Sequence, residues 1–188
     1  CYDFLSQPLP LIERGKMKNK LTVNTITKIA ILAALSVVFR RYFTITIPVN
    51  KKIGIGYLPI MIAGILYGPM LGGLTGGLAD VVGMLLNPDG VFHPGFTLSA
   101  ILIGVGAGLI SHKIFKENIR NKINWISILS SAFTFMVVRL LIDSIWLTQL
   151  FSNPYLFYVV GNIPKNIVET ILNAVILIVL VPRIEKYS

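Results

Sequence analysis

Six apolar runs, at residues 26–46, 54–67, 70–86, 96–113, 125–149 and 159–181, occupy most of this chain and leave only short polar connections between them. Crossing a bilayer takes about 20 apolar residues in a helix, and the helix pairs every backbone N–H and C=O within the segment, as hydrocarbon requires. The runs are therefore read as six transmembrane helices of an all-α integral membrane protein. None shows the strict polar/apolar alternation that a membrane barrel needs. Gly68-Pro69, between the second and third runs, is a breaker dipeptide that predicts a tight reversal at the membrane face. Six spans in 188 residues leave no room for a separate soluble domain, so residues 17–188 read as one unit. Residues 1–16 hold two prolines and no sustained apolar run, and read as an N-terminal tail or cloning remnant ahead of Met17.

Lys and Arg number 17 against 8 acids, a formal charge of +9. In so apolar a chain this excess reads as an orientation signal and not as a nucleic-acid footprint. Arg14, Lys16, Lys18, Lys20 and Lys28 precede or open the first run, Lys113, Lys116, Arg120 and Lys122 connect the fourth and fifth, and Arg183 and Lys186 follow the sixth. With six spans all of these fall on one side. The positive-inside bias then places both termini in the cytoplasm, and the spans predict a multi-pass protein of the cell membrane. The single cysteine, Cys1, excludes an internal disulfide, and no Cys or His spacing suits zinc. His93 and His112 read as interfacial residues.

An ionisable side chain within a span costs a few kcal/mol, about 2.5–3.5 even on lenient insertion scales, so each one is a candidate site residue. Arg139 and Asp143, and Lys165 and Glu169, are spaced i,i+4 and can pair on one helix face. Asp80 has no such partner. Together with Arg40 and Arg41 these residues outline a polar pocket open to the outside. The connection at residues 87–97 carries two prolines, two glycines, Phe92, His93 and Phe96, and reads as an ordered outer loop able to cover a flat ring. Gly72, Gly73, Gly76 and Gly77 on the third run, with Gly104 and Gly108 on the fourth, predict close helix packing that holds Asp80 in place. Ala30, Ala33 and Ala34 give the first run a small-residue face that invites another helix, inside the bundle or outside it.

No glycine-rich run leads into Gly-Lys-Ser/Thr, so the chain does not energise transport by binding ATP itself. No nucleophile or acid/base constellation is present, which argues against an enzyme. The absence of a convincing internal repeat argues against an inverted-repeat carrier. A small six-helix binder that borrows energy from partners fits better.

Two stretches carry a family resemblance: GYLPIMIAGILYGPMLGGLTGGLADVVGMLL (56–86) and FHPGFTLSAILIGVGAGLI (92–110). They resemble the substrate-binding S components of energy-coupling factor (ECF) vitamin transporters, the folate-specific group in particular. The resemblance rests on Gly68-Pro69 through Asp80-Val81-Val82-Gly83 and on Pro94-Gly95-Phe96-Thr97-Leu98, and covers the chain from about Met17 onward. Ala30 and Ala34 match the AxxxA motif that S components turn to their coupling subunit, and Ala33 is placed on the same docking face. The resemblance implies a protein that binds folate or a reduced folate from outside, docks in the membrane lipid on a transmembrane coupling subunit with two ATPase subunits, and releases the vitamin inside. It implies no cofactor beyond the transported ligand, ATP being bound only by the partners, and no nucleic-acid partner. At Asn162-Ile163-Pro164-Lys165 the chain departs from the family segment, which carries arginine where Asn162 stands.

Folate joins a planar pterin with adjacent N–H donors to a benzoyl group and a dicarboxylate tail. A carboxylate such as Asp80 can take the donor edge in a two-pronged contact, while Arg40, Arg41, Arg139 or Lys165 can meet the tail. Phe92, Phe96, Trp146 and Tyr155 are candidates to enclose the rings, and Pro94, Gly95 and Thr97 belong to the same expected binding set. The other readings are an S component for a different vitamin or a pyrimidine precursor, and, in another class, a stand-alone carrier or membrane enzyme.

Overall fold

The computed structural model describes residues 23–47, 51–86, 93–115 and 122–185. Most of them lie in six helices: α1 (Val23–Tyr42), α2 (Leu58–Tyr67), α3 (Pro69–Leu86), α4 (Pro94–Ile114), α5 (Ile123–Phe151) and α6 (Tyr155–Glu185). The last four are long and apolar enough to cross a membrane. The chain is a multi-pass membrane protein of six helices. Residues 1–16, Phe92 and the basic residues Lys116, Arg120 and Lys186 lie outside the described residues.

The first two runs depart from the expected helices at the ends that face each other. Helix α1 stops at Tyr42, and Thr44–Ile47 pairs antiparallel with Lys51–Gly54, in the register Thr44↔Gly54 and Ile45↔Ile53. The stretch Thr44-Ile45-Thr46-Ile47 is entirely β-branched, which favours a strand, and Pro48 then disfavours helix at the residue before it. The Thr44 hydroxyl donates to the Arg40 carbonyl at 2.8 Å, occupying an acceptor that the ending helix leaves open.

Helix α2 has ten residues, about 15 Å at 1.5 Å per residue, half a bilayer. It is apolar all round and is accordingly buried all round, with Leu58, Ile60, Met61, Ala63 and Ile65 at its centre. It ends at Gly68, whose φ of +94° only glycine adopts without strain, and Pro69 opens α3. The expected reversal is there. Ser111 Oγ donates to the Ile65 carbonyl at 3.0 Å and His112 Nε2 lies 3.0 Å from the same oxygen, so both serve the end of α2.

The glycines let α2, α3 and α4 meet backbone to backbone. A Cβ on Gly72 would lie 2.5 Å from Gly64 Cα, and one on Gly104 would overlap the Gly72 carbonyl. In α5 the hydrogen-bond ladder widens to π-helical geometry over Phe133–Ile142, a form concentrated at functional sites, and Arg139 stands within it. The hairpin, the C-terminal ends of α1 and α3 and the start of α4 share one end of the bundle. Gly68, the end of α4 and the start of α5 share the other.

Candidate ligand-binding site

Four helices bring charge together near the hairpin end. Arg40, two residues before α1 ends, places Nη1 2.8 Å from Asp80 Oδ1 of α3. Thr97, in the first turn of α4, donates its hydroxyl to Asp80 Oδ2, also at 2.8 Å. The partner that sequence spacing did not supply to Asp80 thus comes from two other helices, and each of its oxygens already accepts a bond. The remaining N–H edge of Arg40, Nε and Nη2, is buried with no hydrogen-bond partner. That edge is the side of a guanidinium that makes two parallel bonds to a planar acceptor.

Tyr57, just ahead of α2, has two cations beside its ring. The guanidinium carbons of Arg40 and Arg139 are each 4.8 Å from its ring centroid, and cation–π attraction offsets part of the repulsion between them. Tyr57 reaches this position because Gly56 packs on α1: a Cβ there would be 3.0 Å from Arg40 Cα, and Ser36 Oγ donates to the Gly56 carbonyl at 2.6 Å. Phe135 packs edge-on with the same ring at 6.4 Å. The expected Arg139–Asp143 pair is formed through Nη1 and Oδ2. For the second expected pair, Glu169 turns Oε1 to the Gly54 backbone N–H at 3.1 Å, tying the hairpin to α6. Arg139 Nε, Asp143 Oδ1 and Glu169 Oε2 are buried without partners. Each buried polar atom left unpaired costs about 1–3 kcal/mol, so the cluster is built at the expense of stability.

An aromatic wall borders the charges. Trp146 of α5 donates Nε1–H to Ser99 Oγ at 3.1 Å, and its ring lies 5.5 Å from that of His93. His93 caps α4, its Nδ1 accepting from the Gly95 N–H at 3.1 Å, and Phe96 packs 6.0 Å from it. Gly95 lies against the indole, where any Cβ would overlap the ring.

Of the residues singled out from sequence, Arg40, Asp80, Thr97, Arg139, Gly95, Phe96 and Trp146 gather around this site. Pro94 is exposed at the start of α4, and Lys165 is half-buried one turn before Glu169 on α6. Tyr155 donates to the Leu141 carbonyl at 3.3 Å, joining α6 to α5. Arg41 donates to the Gly83 carbonyl at 3.1 Å, joining α1 to α3. Ala30 and Ala34 are exposed on α1, whereas Ala33 packs in the core at 7% exposure. Ala33 is therefore not on the docking face expected of it: at three residues from Ala30 it rotates inward beside Ile29. Tyr57, Ser99 and the Glu169–Gly54 contact were not read from sequence. Among the described residues no group of three His, Cys, Asp or Glu could hold a metal ion.

The family model for the ECF transporter substrate-specific component matches residues 24–181. A folate transporter, FolT, of Clostridium novyi (strain NT) is 29% identical over 155 residues, 82% of this chain and 86% of that protein. The crystal structure of FolT bound with folic acid superposes with a TM-score of 0.73 at 26% identity, covering 86% of this chain and 95% of that one. The S component for biotin of an ECF-type ABC transporter superposes at 0.65 and 20% identity, covering 91% of this chain and 95% of that one; this likeness shows the shared fold.

Proposed function

This chain belongs to the substrate-specific components of ECF transporters, and on that premise we propose that it captures folate or a reduced folate from outside the cell. The observation that carries this reading is a buried cluster holding unpartnered N–H donors and unpartnered carboxylate oxygens side by side, next to an aromatic wall. Folate presents both complementary sets on one flat ring, and the ring's faces suit Tyr57 and Trp146. The likeness to folate-binding relatives over most of the chain supports the same ligand. The substrate-binding set is Arg40, Tyr57, Phe96, Thr97, Arg139 and Trp146, with Asp80 fixing Arg40 and Gly95 shaping the wall.

In this reading both termini face the cytoplasm and the hairpin end faces outward. Ala30 and Ala34, exposed on α1, receive a transmembrane coupling subunit, which carries two ATPases. ATP is bound only by those partners. The chain performs no catalysis: its buried polar atoms hold a ligand without a nucleophile or base placed to transform it. Folate binding by the purified chain and folate accumulation by proteoliposomes test this together. Binding without partners, with accumulation only when the coupling module and ATP are supplied, is the expected result. Accumulation by the chain alone would make it a carrier, and release of an altered ligand would make it an enzyme.

A further inference from the structure

Resting on the folate reading, we infer that Glu169 and Asp143, and not Asp80, receive the N–H donor edge of the pterin ring. Asp80 is the sequence's natural candidate, yet its two oxygens already accept from Arg40 and Thr97. It acts as a positioning residue that fixes the Arg40 guanidinium. Asp143 and Glu169 are each 3% exposed, and Asp143 Oδ1 and Glu169 Oε2 accept no hydrogen bond. Each carboxylate is anchored through its other oxygen, Asp143 to Arg139 and Glu169 to the Gly54 N–H, so both are held in place with one acceptor to spare. Both lie within electrostatic range of Arg139. An aminopyrimidinone edge, with a ring N–H beside an exocyclic amino group, supplies two donors to such oxygens. The carbonyl and ring nitrogens of the same head can accept from Arg40 Nε and Nη2 and from Arg139 Nε, which are also buried and unpartnered.

Compactness supports the head over the tail. Arg40 and Arg139 each sit 4.8 Å from one ring centroid, so their guanidinium carbons are at most about 10 Å apart, less than the length of an extended folate. A flat head is of the size to reach both guanidinium groups. Because Glu169 also holds Gly54, a ligand bonded to its Oε2 shares a side chain with the hairpin.

The test compares folate with the analogue in which the 2-amino group is replaced by methyl, on the purified full chain. Wild type should bind folate at least tenfold more tightly than the analogue. Glu169→Gln keeps the acceptor for Gly54 while replacing Oε2, and it should weaken folate about tenfold or more and shrink that preference to threefold or less. Asp143→Asn should act in the same direction. A thermal melt of each purified variant reports that it is folded. Equal wild-type affinity for folate and analogue would overturn the inference whatever the variants do, as would an unchanged preference in both variants. Failure of wild type to bind folate at all would instead overturn the proposed function.

Discussion

Replacing Arg40 with methionine separates ligand binding from the packing around it. The change removes the buried Nε and Nη2 edge assigned to the ligand, and also the 2.8 Å pair with Asp80. Hydrogen bonds to charged groups contribute about 1.5–3 kcal/mol each. Two acting together put the loss near 3 kcal/mol, since parallel bonds on one guanidinium do not add fully. At about 1.4 kcal/mol per tenfold, folate affinity should fall roughly 150-fold. The same substitution strands the Asp80 charge, a loss of about 3–5 kcal/mol in fold stability when one partner of a buried pair is removed. Arg40→Met/Asp80→Asn removes the stranded charge, so its melting temperature should recover most of the way while its affinity stays low. Titration of folate into each purified variant, alongside a thermal melt, reads both quantities. Folate binding by the double variant within threefold of wild type would refute the role given to Arg40.

Ala34→Leu, on the exposed side of α1, should abolish ATP-driven folate uptake in a reconstituted complex while leaving folate binding by the isolated chain within twofold; an equal loss of binding would refute the docking assignment. Gly95→Val drives a side chain into the Trp146 ring and should cost roughly 1–3 kcal/mol of stability as overpacking, with weakened folate binding read by titration; unchanged affinity would detach the aromatic wall from the ligand. Gly104→Leu forces α4 away from the Gly72 carbonyl and should prevent recovery of folded protein in detergent, judged by gel filtration.

The helices were legible because each depends on local properties: apolar run length, the Gly68-Pro69 break, and the small-residue spacing of Gly72 and Gly104. The Arg139–Asp143 pair was legible for the same reason, both residues lying on one helix at i,i+4. The site was legible in membership and not in wiring. Asp80 meets Arg40 forty residues away and Thr97 seventeen away, and the rotation of one helix against another, which decides such contacts, leaves no periodic trace. Tyr57 carries no local signal, standing ahead of a helix that is apolar all round, and only the approach of α1 and α5 brings two cations to its ring. The hairpin carried a signal that the apolar run masked: four β-branched residues ahead of Pro48, where hydrophobicity alone favours continuing the span. Ala33 illustrates the limit of spacing arguments, since a step of three residues was enough to turn it into the core.

The central claim is that this chain by itself is a folate-binding protein. Titrating folate into the purified chain, without partner subunits, and following Trp125 and Trp146 fluorescence tests it most directly, with riboflavin, pantothenate and hydroxymethylpyrimidine as competitors. Trp146 borders the site and Trp125 is exposed at the far end of α5, so quenching should come from Trp146 and vanish in Trp146→Phe. Saturable folate binding that none of the competitors displaces is the predicted result. No saturable folate signal, with quenching by another of these vitamins, would contradict the claim and assign the pocket to a different ligand.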